Sequence, residues 1–237
     1  MKVPGEPIDL PPVYHHETLR TARVAHLGPR GARPLWVALH GYRQLATWFL
    51  RRFAPLDDGS RRIVAPEALN RFYAGDPDGR HGPETRVGAT WMTREERERE
   101  IADYVRYLDG VVRAESEGVH PVVFGFSQGA HTAARWCLAG EVRPRAVVLW
   151  GEGLPHDVDR TALGTRDHPW ILVRGAADRT RDPVREARDE ALLRDVGAAW
   201  EVVEHPGAHR VGVEALAALA ARLEAQPPTN PISGSSS

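Results

Sequence analysis

Compact apolar runs alternate with helix-like stretches along most of the chain. Short, continuous apolar runs are typical of strands that are covered on both faces, as in a parallel sheet. The runs lie at residues 35–40, 62–66, 121–126, 146–150, 170–173 and 200–204. Ahead of them, residues 13–19 and 22–27 predict an opening pair of strands.

Stretches with the apolar spacing of a helix separate these runs. The predicted helices cover residues 94–115, 128–139, 183–196 and 212–224. The pattern Thr93-Arg94-Glu95-Glu96 predicts a capping box at the start of the first helix, and Asp182 before Pro183 predicts the start of the third. Strands that alternate with helices indicate right-handed βαβ units. The predicted fold class is therefore α/β, with a mostly parallel central sheet and helices on both faces.

The length of 237 residues suits one α/β domain, which we expect to span residues 13–225. Residues 1–12 are rich in proline and polar groups, so we expect a loosely ordered N-terminus. Residues 226–237 are rich in Pro, Ser and Gly and predict a disordered tail.

Charge and composition exclude some classes of function. The formal net charge of −1 gives no global attraction for nucleic acid. No window approaches 18 apolar residues, so no integral membrane segment is predicted, and the start of the chain lacks the apolar region of a signal peptide. The single cysteine, Cys137, allows no intramolecular disulfide, and a cytoplasmic location is the default expectation. The sequence carries no pattern that predicts an oligomeric state.

The sharpest chemical signal is Gly125-Phe126-Ser127-Gln128-Gly129, which follows an apolar strand and opens a helix. A nucleophilic serine at such a turn needs small residues two before and two after it, because the backbone is strained. The helix N-terminus favours the negative charge that develops during attack on a carbonyl. Ser127 is thus the candidate nucleophile. The alternative is a glycine-rich turn that only packs.

A serine hydroxyl is a weak nucleophile unless a base takes its proton. In a fold of this kind the chain order is serine, acid, histidine. Asp178 follows the run at 170–173, and His209 follows the run at 200–204, so both lie beyond strand ends, where open α/β sheets build their sites. Asp182 is a rival for the acid, although it fits a helix N-cap better. His205 is a rival for the base, and it directly follows its strand.

The stretch Leu39-His40-Gly41-Tyr42 follows the first long apolar run. A glycine there lets backbone N–H groups approach a ligand. We therefore expect an oxyanion hole formed by the backbone amides of Tyr42 and Gln128, the residue after the nucleophile. The alternative is a plain loop with a histidine packed beneath it.

These residues resemble the phospholipase/carboxylesterase group of α/β-hydrolases, which includes acyl-protein thioesterases. The resemblance spans residues 35–224, with softer matches at 89–92 and 149–155. The motifs that carry it are Leu39-His40-Gly41, Gly125-Phe126-Ser127-Gln128-Gly129, Gly175-Ala176-Ala177-Asp178 and Gly207-Ala208-His209. The resemblance implies an α/β-hydrolase fold, catalytic Ser127, Asp178 and His209, and neither a cofactor nor a metal.

The chain departs from this family near the expected acyl pocket. Tyr42-Arg43-Gln44 stands where many members carry a small or apolar residue and then Gly-Asp, and Trp150-Gly151 stands where Ser-Gly is frequent. We expect residues 70–92 to form one wall of the pocket, with Tyr73, Trp91 and Met92 facing the substrate. The alternative interpretation is that they are ordinary core aromatics and their neighbours.

The sequence therefore predicts a serine hydrolase that cleaves a small-molecule carboxylic ester through an acyl-enzyme. The same residues could serve a thioesterase, a lysophospholipase or a peptidase. A dienelactone-hydrolase-like enzyme is disfavoured because that group usually carries a cysteine nucleophile. A non-catalytic binding protein of the same fold is the alternative from a different class.

Overall fold

The computed structural model describes residues 11–75, 79–115 and 118–225. The predicted disordered tail at 226–237 and most of the predicted loose N-terminus at 1–12 lie outside these residues. Within the described ranges, no helix is both long and apolar enough to cross a membrane.

Strands and helices alternate along the described chain. The strands are β1 (Val24–Leu27), β2 (Leu35–Leu39), β3 (Arg62–Pro66), β4 (Asn70–Tyr73), β5 (Val87–Thr90), β6 (Val122–Phe126), β7 (Ala146–Trp150), β8 (Trp170–Gly175) and β9 (Trp200–His205). The helices are α1 (Ala46–Leu50), α2 (Arg97–Glu115), α3 (Gln128–Ala139), α4 (Arg160–Gly164), α5 (Pro183–Asp195) and α6 (Val213–Ala225), and a 3₁₀ helix at Arg51–Leu56 follows α1.

Seven strands form the central sheet in the order β1-β3-β2-β6-β7-β8-β9. Only β1 runs antiparallel to its neighbour, so the mostly parallel sheet predicted from the sequence is confirmed. Every residue of β2, β3, β6 and β7 is buried, which explains their continuous apolar runs.

Successive residues of a strand point to opposite faces of the sheet, and two separate cores result. Val37 and Leu39 face the core that is covered by α2, α3, α4 and α5. Trp36 and Ala38 face the core that is covered by α1, the 3₁₀ helix and α6. Helices therefore lie on both faces, as predicted.

Two predictions about local structure are wrong. Residues 13–19 form no strand, and Tyr14 and Leu19 are almost fully exposed. Four successive polar residues at 15–18 interrupt the apolar pattern, so this segment has little apolar surface to bury beside β1, which is the terminal strand of the sheet. The helix expected from residue 94 begins at Arg97 instead of forming a capping box at Thr93.

The start of α2 shows why the capping box fails. Glu96 adopts a positive φ of 48°, which turns the chain just before the helix. The hydroxyl of Thr93 accepts a hydrogen bond from the amide of Glu95, while the amide of Thr93 donates to the carboxylate of Glu100. The carboxylate that hydrogen-bonds back to Thr93 is thus that of Glu100, in the first turn of α2. The capping-box pattern predicts the carboxylate of Glu96, four residues earlier.

The strands β4 and β5 form an antiparallel hairpin outside the central sheet, which the sequence did not predict. The hairpin packs on the loop after β2: the amide of Arg43 donates to the carbonyl of Ala89 at 3.0 Å. A Cβ atom on Gly88 would lie 2.8 Å from the Cα atom of Arg43, so only glycine allows this approach. The hairpin therefore supports the loop on which Tyr42 lies.

Candidate active site

Ser127 lies on the tight turn between β6 and α3. Its φ of 53° and ψ of −121° are strained for a residue with a side chain. A Cβ atom on Gly125 would lie 2.2 Å from the carbonyl oxygen of Gly129, and one on Gly129 would lie 2.3 Å from that of Leu39. Both positions therefore require glycine, for the steric reason that the sequence pattern indicated.

Three side chains that are far apart in the chain meet above this turn. The Nδ1 atom of His209 lies 2.7 Å from Oδ2 of Asp178, and its Nε2 atom lies 3.0 Å from Oγ of Ser127. Asp178 follows β8, and His209 follows β9, so parallel strands deliver all three to the carboxyl edge of the sheet. The structure thus brings together the three residues that the sequence singled out as nucleophile, acid and base.

Asp178 is held as a carboxylate. Burial favours its protonated form, but hydrogen bonds from Thr180 and His209 outweigh burial, so the pKa of Asp178 lies below its usual value. The residue is only 7% exposed, which keeps competing water away from its contact with the imidazole. A buried carboxylate beside an imidazole can orient the ring and stabilise its charged form.

The two rival residues have structural roles. The carboxylate of Asp182 accepts hydrogen bonds from the amides of Val184 and Arg185, and so caps the N-terminus of α5. His205 is buried, its Nδ1 accepts from the amide of Gly207 at 3.1 Å, and its ring lies 4.9 Å from that of Trp150. The Ser127 hydroxyl instead contacts Nε2 of His209.

Thr180 is a site residue that the sequence reasoning missed. Its hydroxyl donates to Oδ1 of Asp178 at 2.7 Å, and its backbone amide donates to the same oxygen at 2.8 Å. The hydroxyl oxygen also lies 3.1 Å from Nδ1 of His209. A partial signal was present in the sequence, because an Asp in a loop is typical of a turn in which its carboxylate accepts the amide two residues later.

The imidazole of His209 is packed from two sides. A Cβ atom on Gly151, which has a φ of 76°, would lie 3.1 Å from Cε1 of the imidazole. The ring of Phe126 lies 5.1 Å from that of His209. These contacts leave little room for the ring to turn away from Ser127.

The loop after β2 is fixed by buried hydrogen bonds. Nε2 of His40 accepts from the amide of Ala68 at 3.0 Å, which leaves Nδ1 to donate to the carbonyl of Gly41 at 2.8 Å. The indole of Trp91 donates to the carbonyl of His40, and the side chain of Gln44 accepts from the amide of Gly41. Burial lowers the pKa of His40 to about 4, so the ring is neutral at pH 7.

The two residues whose amides are predicted to form the oxyanion hole follow the carboxyl ends of two neighbouring strands, β2 and β6. Leu39 of β2 pairs with Gly125 of β6, and Tyr42 and Gln128 each follow three residues later. Gln128 is the first residue of α3, so its amide has no acceptor inside the helix. The side chain of Gln128 is engaged elsewhere, since it hydrogen-bonds Thr90 and the backbone of the segment after β5.

The three predicted pocket residues lie in different surroundings. Trp91 is only 2% exposed and belongs to the core, which fits the alternative interpretation of an ordinary core aromatic. Tyr73 is about half exposed and stacks on His81 with 4.2 Å between ring centres. Met92 is partly buried, with its sulfur 3.6 Å from the guanidinium of Arg135. That these residues contact the substrate stays a prediction.

A cavity of about 210 Å³ lies next to Asp178, between the loop after β7 and the start of α5. Its lining includes Glu152, His131 and Arg185, but none of the three predicted pocket residues. Burial raises the pKa of Glu152 and lowers that of His131 to about 4, with 3.7 Å between the two side chains. Throughout the described ranges, no group of three or more His, Cys, Asp and Glu side chains is arranged to hold a metal ion.

Proteins that present a serine on such a turn, at the edge of a mostly parallel sheet covered by helices on both faces, are α/β-hydrolases, and the chain has this fold. A family model described as "Serine hydrolase (FSH1)" matches residues 36–217, and the chain belongs to this family of serine hydrolases. The resemblance inferred from the sequence motifs is thereby confirmed. No curated protein matches the chain.

Solved structures support the same fold. Esterase PE8 has a TM-score of 0.63 and 19% identity, over 86% of this chain and 99% of its own. A phospholipase/carboxylesterase from Dyadobacter fermentans has a TM-score of 0.61 and 16% identity, over 88% and 99%. Acyl-protein thioesterase 2 from Zea mays has a TM-score of 0.61 and 16% identity, over 86% and 99%. At these identities, the likeness is one of fold.

Proposed function

We propose that this protein is a serine esterase that hydrolyses a small-molecule carboxylic ester through an acyl-enzyme on Ser127. The observation that carries the proposal is the unbroken contact from Asp178 through His209 to Ser127, at 2.7 Å and 3.0 Å. Membership of a serine hydrolase family supports the reaction class. The reaction calls for no cofactor or metal, since the imidazole supplies the base and backbone amides supply the electrophilic contacts.

In the first half-reaction, Nε2 of His209 takes the hydroxyl proton of Ser127 as Oγ attacks the ester carbonyl. Asp178 stabilises the imidazolium that forms. The amides of Tyr42 and Gln128 donate to the oxyanion of the tetrahedral intermediate. The intermediate collapses with loss of the alcohol, which receives the proton from His209, and the acyl group stays on Ser127.

In the second half-reaction, His209 takes a proton from water as the water oxygen attacks the acyl-enzyme. Collapse of the second intermediate releases the carboxylic acid and returns the proton to Ser127. Because both half-reactions use the same catalytic groups, loss of any one group slows both half-reactions.

A thioester is the second candidate substrate. Acyl-protein thioesterase 2 from Zea mays shares the fold, and attack on a thioester forms the same type of tetrahedral intermediate at the same hydroxyl. The pocket role of Tyr73, Trp91 and Met92, the single domain at 13–225 and the cytoplasmic location stay predictions.

A panel of p-nitrophenyl esters from acetate to palmitate, with matched acyl thioesters, tests the proposal. We expect hydrolysis of at least one ester by the wild type and a loss of roughly 10⁶-fold in kcat in Ser127→Ala. Ser60→Ala is the matched control, because Ser60 is an exposed serine whose hydroxyl bonds Asp58. Hydrolysis that survives in Ser127→Ala, or is lost in Ser60→Ala, would contradict the proposal.

A further inference from the structure

The hydroxyl of Thr180 lies between the acid and the base of the site. It is 2.7 Å from Oδ1 of Asp178 and 3.1 Å from Nδ1 of His209. Both oxygens of the carboxylate are therefore occupied: Oδ1 by the hydroxyl and amide of Thr180, and Oδ2 by the imidazole. Within the described part of the chain, Thr180 and Ser127 are the side chains that hydrogen-bond the Asp178–His209 pair.

The proton positions follow from these contacts. If Nε2 of His209 is to accept the proton of Ser127, its Nδ1 must carry a hydrogen, which points to Oδ2 of Asp178. The hydroxyl hydrogen of Thr180 then points to Oδ1, and a lone pair of the same oxygen faces the hydrogen on Nδ1. One hydroxyl thus donates to the acid and faces the hydrogen on the base.

We propose that Thr180 is a positioning residue for the reaction, whose hydroxyl keeps Asp178 turned with Oδ2 towards His209 and so keeps the imidazole in the tautomer that accepts the proton of Ser127. The inference rests on the proposed function and adds a fourth residue to it. A carboxylate bound through one oxygen to two donors cannot rotate without breaking both bonds.

A role in shaping the loop can be separated from this role. The turn at residues 178–180 is closed by the backbone amide of Thr180, which every replacement except proline retains. Thr180 is exposed, so a valine of nearly the same shape costs little stability. The difference between threonine and valine therefore isolates the hydroxyl.

The test compares Thr180→Val with Thr180→Ser in the full chain. The measurements are the rate at which a fluorophosphonate labels Ser127, and kcat and KM for p-nitrophenyl acetate. We expect Thr180→Val to lower the labelling rate and kcat about tenfold with KM unchanged, because one hydrogen bond that orients the acid is lost. Thr180→Ser restores the hydroxyl and should stay within about threefold of wild type.

Thr165→Val is the matched control, because the Thr165 hydroxyl donates to a backbone carbonyl at the end of α4. It should label at the wild-type rate. The Nδ1 proton of His209, observed by NMR in the downfield region, should shift or broaden in Thr180→Val and keep its position in Thr180→Ser.

Two results would overturn the inference while leaving the proposed function standing: wild-type labelling by Thr180→Val, or a loss in Thr180→Ser as large as in Thr180→Val. A folded wild type that the fluorophosphonate does not label at Ser127 would overturn both.

Discussion

At the scale of single residues, the site depends on a few backbone positions that tolerate only glycine. Gly125 and Gly129 are required by atoms 2.2 Å and 2.3 Å from their would-be Cβ positions. The sequence predicts this requirement, because the pattern around Ser127 is local. It does not predict Gly151, whose contact with His209 joins residues 58 positions apart. Contacts of this kind become visible only in the folded chain.

Gly151→Ala should lower activity more than stability alone explains. The added methyl group would lie 3.1 Å from Cε1 of His209 and push the imidazole from its place beside Ser127. We expect kcat to fall by less than the roughly 100-fold effect of a 1 Å displacement, because a shift of a few tenths of an ångström relieves the contact. Steady-state kinetics on the best ester of the panel provide the measurement.

Gly197→Ala is the control for Gly151→Ala. Gly197 also has a positive φ, of 70°, but no atom lies within 4 Å of its would-be Cβ. It should lose about 1–2 kcal/mol of unfolding free energy and keep its kcat. Equal losses of kcat in the two variants would show that backbone strain, and not the contact with His209, limits the enzyme.

At the scale of elements, the sequence predicts those strands whose burial is continuous and those helices whose ends carry local signals. β2, β3, β6 and β7 are buried at every position, and α5 begins at Pro183, directly after its N-cap Asp182. The β4–β5 hairpin has four-residue strands, and β4 alternates partly buried and exposed residues. The hairpin is stabilised by its contact with Arg43, which is distant in sequence, and its own hydrophobic pattern is too short to indicate two strands. The sequence therefore does not predict it.

The two aspartates near α5 should respond to mutation in opposite ways. Asp182→Ala removes an N-cap that accepts two amides, so it should cost about 1 kcal/mol of unfolding free energy and leave kcat intact. Asp178→Asn should lower kcat by roughly 10⁴-fold, because the amide no longer enforces the required tautomer of His209. Urea unfolding and ester hydrolysis, measured on both variants, separate the two roles. If Asp182→Ala loses activity and Asp178→Asn keeps it, Asp182 is the acid and the assignment of Asp178 is wrong.

At the scale of the whole molecule, three histidines with lowered pKa values couple folding stability to pH. His40 and His168 are buried and His131 is partly buried, and burial lowers the pKa of each to about 4. The unfolded chain takes up protons on these residues below a pH of about 6.5, whereas the folded chain does not until about pH 4. Folding stability should therefore fall as the pH drops through this window.

The expected fall is at most about 1.4 kcal/mol per pH unit for each histidine. Urea unfolding at pH 7 and pH 5 measures it. His168→Gln removes one of the three imidazoles, so the unfolding free energy should fall less between pH 7 and pH 5 than it does in the wild type. A stability that is constant or that rises between pH 7 and pH 5 would show that these imidazoles are charged in the folded protein.

The central claim is that the hydroxyl of Ser127 is activated by the imidazole of His209, 3.0 Å away. Reaction of the folded protein with a fluorophosphonate, followed by mass spectrometry of its peptides, tests this claim most directly. We expect one phosphonyl adduct, on Ser127, which forms rapidly in the wild type and is absent in Ser127→Ala and His209→Ala. An adduct on another residue, or a Ser127 adduct that forms equally fast in His209→Ala, would contradict it.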